Sequence, residues 1–120
     1  MAMKKIENAD LELLKAARLA AESRGAEEVR LLDLRKLSPL MDYFLICTAN
    51  NPPHMAAVDE AVSEAVQGQG VRLRRREGKG ESGWVILDFG GLVAHIFLAE
   101  MREFYDLDSR WADAFVLGGK

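Results

Sequence analysis

Along the chain, stretches of helical spacing alternate with short apolar runs. Ile6, Ala9, Leu13, Ala16, Ala17 and Ala20 recur on one helical face, with Leu14 widening it, so the spacing predicts a helix over 6–23. Gly25 stands where a left-handed cap residue often ends a helix, and Arg18 and Arg24 lie toward the end that the helix dipole makes favourable for cations. Val29–Leu34 reads as a short strand and Asp42–Thr48 as a second. The uninterrupted Tyr43-Phe44-Leu45-Ile46 predicts burial on both faces, as in a central strand. The link between the two is too short for a parallel crossover, so they are predicted to be antiparallel neighbours.

Asn51 and Pro52 form a helix start, a side-chain cap followed by a residue with no N–H to leave unpaired. The apolar stripe Val58, Ala61, Val62, Ala65 and Val66 carries that helix to about Gln67, and Gly68 and Gly70 end it. Val71–Arg76 alternates, with Val71 and Leu73 on one side and Arg72, Arg74 and Arg76 on the other, which predicts a half-exposed strand. Glu77–Gly83 is expected to be a flexible loop. Trp84–Phe89 and Leu92–Leu98 read as strands joined by a two-residue Gly90-Gly91 hairpin turn. Glu100–Tyr105 reads as a short helix, Ser109–Phe115 as further helix, and Gly118-Gly119-Lys120 as frayed. The order predicts one α/β domain (mixed α+β) over 1–120: a mixed five-stranded sheet flanked by helices, with its core over about 6–111 and a tail over 112–120.

Composition narrows the function. With 49% hydrophobic and 29% charged residues, 120 residues suffice for one core, and a formal net charge of -3 does not by itself call for a nucleic-acid partner. The lone Cys47 can form no internal disulfide and suits a reducing compartment. Lys4 and Lys5 are followed by no long apolar run, so no signal peptide is expected, and nothing approaches the ~20 apolar residues that span a bilayer. A soluble cytoplasmic protein with no membrane partner is the expectation.

Asp42, His54, Asp88 and His95 are the candidates for chemistry, all predicted at or near strand ends, where α/β sites collect. Their spacing matches no metal motif, and residues that fix turns and the sheet edge are the favoured reading. His95, on a face with Val93 and Phe97, reads as a hydrogen-bonded core histidine, and Cys47 as a buried, inert thiol. The spacing of Gly78, Gly80 and Gly83 is not that of a phosphate-binding loop. No catalytic residue, metal or cofactor is therefore expected. Arg72, Arg74, Arg76 and Lys79 are candidate RNA-phosphate contacts, against the alternative of an edge strand protected by charge. Trp84, Phe104 and Tyr105 are candidate interface anchors, against the alternative of rings that simply cover the sheet. Trp84 in particular is expected to project from the sheet.

Asp42-Tyr43-Phe44-Leu45-Ile46-Cys47-Thr48, His54, Glu77-Gly78, Trp84-Val85-Ile86-Leu87-Asp88-Phe89-Gly90, Val93-Ala94-His95-Ile96-Phe97, Arg102-Glu103-Phe104-Tyr105-Asp106-Leu107-Asp108 and Trp111 follow one another in the order of the ribosomal silencing factor family, also called Iojap-like. Each piece alone is weak; the ordered set at matching intervals is specific, and the chain resembles that family from its first helix to Trp111. The resemblance implies a nucleotidyltransferase-like fold without the catalytic motif, and a factor that binds the large ribosomal subunit through ribosomal protein uL14. There it would block joining of the small subunit, lower translation when nutrients are scarce and assist large-subunit assembly. Homodimers are implied as well. The partner surface is then expected among Asp42, Tyr43, His54, Trp84, Asp88, His95, Phe97, Phe104 and Tyr105. Ala49-Asn50-Asn51-Pro52-Pro53 departs from the glycine and serines followed by arginine more usual there, and Ala112–Lys120 is expected to run past the family's usual end. Two other readings stay open: a nucleotidyltransferase-type enzyme, for which Asp88 lacks an acidic partner two residues away, and a general RNA-binding protein resting on the arginines.

Overall fold

In the computed structural model, which describes residues 6–117, helix α1 (Asn8–Ser23) buries Leu14, Ala17 and Ala21 against a sheet. Strands β1 (Glu27–Asp33) and β2 (Tyr43–Ala49) pair antiparallel, as the short link between them requires. Helix α2 (Pro52–Gly68) starts as predicted: the Asn51 side chain accepts the His54 backbone N–H at 2.8 Å, with proline in the first turn. Strands β3 (Arg75–Glu77) and β4 (Trp84–Asp88) follow, and Gly90-Gly91 turns the chain into β5 (Leu92–Leu98). The hairpin closes with Phe89 N–H donating to the Leu92 carbonyl at 2.9 Å, and Gly90 takes φ +94°, where a side chain would be strained. β5 returns parallel to β2, which is why β2 is buried along its whole length.

The sheet has six strands in the order β3-β4-β5-β2-β1-β6, not five. The sixth, β6 (Phe115–Leu117), pairs antiparallel with β1 and comes from the segment expected to be helix and tail. Helix stops at α4 (Leu107–Arg110), just after α3 (Ala99–Tyr105). Three residues are too few to show a strand period, and their pairing partner lies far away in sequence. The readings of Lys4 and Lys5 and of Gly118-Gly119-Lys120 fall outside the described residues.

Two layers of side chains cover the sheet. On one face α1 and α2 pack over Tyr43, Leu45, Cys47, Leu87, Ala94 and Ile96. On the other, Leu32, Phe44, Ile46, Val93 and Phe97 lie under Leu107, Trp111 and Ala114. The second cover is short, and it leaves Trp84, Ile86 and Asp88 of β4 half exposed. No described helix is long and apolar enough to cross a membrane.

The loop expected to be flexible is packed. Gly80–Ser82 forms a 3-10 turn. A Cβ on Gly78 would lie 2.1 Å from the Trp84 carbonyl oxygen, one on Gly80 2.8 Å from the Pro52 Cβ, and one on Gly83 2.4 Å from the Met101 side chain. These glycines are there for close approach of backbone to neighbours.

Candidate partner-binding site

The half-covered face of β4 is built by alternation. Register places Trp84 opposite Phe97, Ile86 opposite His95 and Asp88 opposite Val93, on the face the sequence pattern predicts. The Trp84 indole stacks on the buried Phe97 ring at 4.9 Å between centroids, and Tyr105 of α3 leans on Trp84 at 4.5 Å. Phe104 meets Tyr105 edge-on at 5.1 Å and is 75% exposed, and Tyr105 is 40% exposed. Phe97, Trp84, Tyr105 and Phe104 therefore form an aromatic ridge that rises from the core into solvent. Trp84 does not project freely; it is the half-buried middle of that ridge.

His95 lies beneath it. The Trp84 Nε1–H donates to His95 Nδ1 at 3.1 Å, and Phe44 closes the other side at 4.4 Å between ring centroids. Burial pushes the imidazole down to about 4, so at neutral pH it is uncharged and carries its proton on Nε2. This is the core histidine that its apolar strand face predicts. Cys47, fully buried, has its thiol pushed up to about 12 by burial, which leaves it protonated and inert.

Four of the expected contact residues, Trp84, Phe97, Phe104 and Tyr105, come together in the ridge, with His95 under it. Asp88 sits farther along β4, where its Oδ1 accepts the Gly90 backbone N–H at 2.8 Å. The other three lie elsewhere. Asp42 is beside Gly91, at the hairpin end of the sheet. Tyr43 points into the α1–α2 core at 2% exposure, under the Arg35 guanidinium, which lies 5.4 Å from its ring centroid, and burial pushes its phenol up to about 12. A ring so enclosed cannot reach a partner. His54 is a structural pin: its Nδ1 accepts the Asn50 N–H at 2.9 Å, so Nε2 carries the proton and donates to the Arg24 carbonyl at 2.7 Å, joining the start of α2 to the end of α1.

The arginine row is also dispersed. Only Arg75–Glu77 is strand, and Arg76 pairs with Leu87, which puts it on the α2 side of the sheet with the partly buried Val71 and Leu73. There Arg76 donates to both Asp59 carboxylate oxygens, at 3.0 and 2.8 Å. Arg72, Arg74 and Lys79 are all exposed, Arg74 with its guanidinium lying across Gly90. A break in alternation between Leu73 and Arg75 undoes the single face that the pattern predicts.

One cluster went unforeseen. Arg102 of α3 donates to both carboxylate oxygens of Asp108, each at 3.1 Å, and Arg30 of β1 donates to the same carboxylate at 2.7 Å. Burial alone would raise the Asp108 carboxyl; the bonds from Arg102 and Arg30 outweigh it and hold it below the usual carboxylate range. Arg102 and Asp108 stand within one run of the quoted motif, but nothing in their spacing names Arg30 as the third member. No group of acidic, histidine or cysteine side chains that could hold a metal ion occurs among the described residues.

A six-stranded mixed sheet flanked by helices, with one half-covered face that carries a solvent-facing aromatic ridge, defines a single domain of the α/β class. The family model described as "Ribosomal silencing factor during starvation" matches residues 6–118, and the chain belongs to that family. The match takes in β6, so residues 112–118 of the segment expected to lie past the family's end belong to it. The ribosomal silencing factor of Halalkalibacterium halodurans is 35% identical over 103 residues, covering 86% of this chain and 88% of that one. That of Bacillus subtilis is 33% identical over 102 residues, covering 85% and 86%. A crystal structure of a Chromobacterium violaceum protein superposes with a TM-score of 0.80 at 27% identity, covering 85% of each chain. At this level the function is that of a ribosome-associated silencing factor, a regulator of translation.

Proposed function

We propose that this chain binds the large ribosomal subunit through ribosomal protein uL14 and, seated there, blocks joining of the small subunit. Translation is thereby repressed under nutrient limitation, and the same contact serves large-subunit assembly. The observation that carries the reading is the ridge of Trp84, Tyr105 and Phe104, in which Phe104 is 75% exposed on an otherwise anchored helix. Large aromatic rings seated on a rigid base are the usual energetic centres of protein interfaces. The mechanism is occupancy, governed by affinity and concentration, and it needs no bond-making step. Arg72, Arg74 and Lys79, all exposed, are the side chains of the expected set that remain for a secondary contact with ribosomal RNA.

The test is co-sedimentation with purified large subunits, followed by addition of small subunits. Binding that lowers the yield of joined ribosomes, and that fails for Tyr105→Ala and Phe104→Ala with normal melts, supports the reading. Binding unaffected by both variants, or binding that leaves joining unchanged, overturns it. Protein-dependent turnover of a nucleoside triphosphate with magnesium would favour the enzyme alternative.

A homodimer, which the family resemblance implies, has a surface suited to it. The β3 edge of the sheet carries Arg75, Arg76 and Glu77, whereas the β6 edge, Phe115–Leu117, bears no charge of its own and lies beside a groove lined by Leu11, Leu14, Leu31 and Leu117, with Lys15 and Arg18 also on its wall. Uncharged edges invite strand pairing. Antiparallel pairing of β6 with its copy would set the half-exposed Phe115 beside that groove. Phe115→Glu should shift sedimentation equilibrium toward monomer; an unchanged dimer would place the interface elsewhere.

A further inference from the structure

The exposed rings, Phe104 and Tyr105, sit on one helix that cannot hold itself in place. α3 has seven residues and buries none, and α4 has four. Isolated helices of such length are unstable in water, so α3 must be fixed by tertiary contacts. Its side chain with the most bonds is Arg102. Besides the two bonds to Asp108 of α4, its Nη1 donates to the Glu28 carbonyl at 2.7 Å and to the Thr48 hydroxyl at 3.0 Å. One guanidinium thus ties α3 to α4, to β1 and to the end of β2, and its side chain is only 11% exposed.

The backbone points to the same residue. Among the described residues, two that are not glycine take left-handed φ, Glu28 at +48° and Asp106 at +50°. Both are bonded to Arg102: Glu28 through the carbonyl just named, and Asp106 through its N–H, which donates to the Arg102 carbonyl at 2.9 Å. Conformations of this kind persist where surrounding bonds over-determine them, and they gather at working sites. The left-handed turn at Asp106 follows Tyr105 directly, so it sets where the ridge ends and α4 begins.

We propose that Arg102 is a positioning residue for the partner surface. Its four bonds hold α3 so that Tyr105 rests on Trp84 and Phe104 stands in solvent, while Arg102 itself faces the sheet. The proposal rests on the reading of the ridge as the partner surface. It predicts that affinity depends on a side chain aimed away from the partner.

The experiment compares wild type, Arg102→Met, Arg102→Lys, Tyr105→Ala and the Arg102→Met/Tyr105→Ala double variant. One readout needs no ribosome: proton Overhauser contacts between the Trp84 and Tyr105 rings in the free protein. The other is co-sedimentation with large subunits. Arg102→Met should keep the Trp84–His95 bond and a cooperative melt, lose the Trp84–Tyr105 contacts and weaken binding about tenfold or more. Tyr105→Ala should then cost little further in the Arg102→Met background, and Arg102→Lys, which cannot fork onto Asp108, should restore binding only in part. Where Arg102→Met fails to fold, Asp108→Asn reads the same contact. Intact ring contacts in these variants, or full additivity with Tyr105→Ala, would falsify the positioning role. Loss of the ring contacts with binding indifferent to Tyr105→Ala would support positioning and overturn the choice of partner surface.

Discussion

The indole N–H of Trp84 donates to Nδ1 of His95 at 3.1 Å, across the antiparallel pair of β4 and β5. The bond joins the half-exposed ridge to a fully enclosed imidazole and fixes that imidazole's tautomer. Protonation of His95 would force the indole N–H against a second N–H, in a site where burial already disfavours charge.

A pH dependence follows. The folded imidazole is pushed down to about 4 from an ordinary value of 6.5, so below 6.5 the unfolded chain takes up a proton that the native chain refuses. Stability present above pH 6.5 is lost as pH falls toward 4, by on the order of 3 kcal/mol from this residue. Urea melts across this range should show the loss, and His95→Gln, which keeps an acceptor for the indole, should flatten it relative to wild type. Equal slopes for the two proteins would mean that His95 charges in the fold.

The ridge residues should separate by burial. Phe104→Ala removes a ring that is 75% exposed, so the melt should stay within about 0.5 kcal/mol of wild type while subunit binding weakens by ~2 kcal/mol. Trp84→Ala also removes the stack on Phe97 and the partner of His95, so it should cost ~3 kcal/mol of stability as well as binding. Parallel melts and co-sedimentation measure both. A Trp84→Ala melt equal to wild type would show that the indole contributes nothing to the core.

Arg76 and Arg72 should behave differently despite their shared place in the sequence pattern. Arg76→Gln loses the fork onto Asp59, a partly exposed pair, and should cost about 0.5–1 kcal/mol of stability with no change in the salt dependence of subunit binding. Arg72→Gln with Lys79→Gln should leave the melt alone and flatten the salt dependence. A flattened salt slope in Arg76→Gln would mean that this guanidinium leaves Asp59 to bind phosphate.

Gly78 and Gly68 offer a paired test of the packed loop. At Gly78, φ is +85° and a Cβ would meet the Trp84 carbonyl oxygen at 2.1 Å, so Gly78→Ala should cost roughly 2–4 kcal/mol in a thermal melt. At Gly68, the last residue of α2, nothing lies within 4 Å, and Gly68→Ala should be neutral or stabilise by a fraction of a kcal/mol. Similar melts for the two variants would restore the flexible loop that the alternation of Gly78, Gly80 and Gly83 with polar residues suggested.

What the sequence determined by itself is local. The Asn51 cap, the Gly90-Gly91 hairpin, the buried run of β2 and the sharing of a face by Trp84, Ile86, His95 and Phe97 all follow from spacing, because neighbours in the chain fix them. The motif order likewise sufficed to place the chain in its family. Tertiary structure alone decided the rest. β6 exists because three apolar residues find β1, some eighty positions earlier, and the arginine row breaks because Arg76 finds Asp59. Tyr43 and Tyr105, both placed on the partner surface by the family resemblance, end at 2% and 40% exposure: the buried run already marked Tyr43 as core, and the limit of the cover left Tyr105 half out. The Arg102 cluster joins Arg30, Thr48 and Asp108, and no local period records which distant charge a side chain will meet. Those pairings depend on the global path of the chain, which short-range periodicity does not encode.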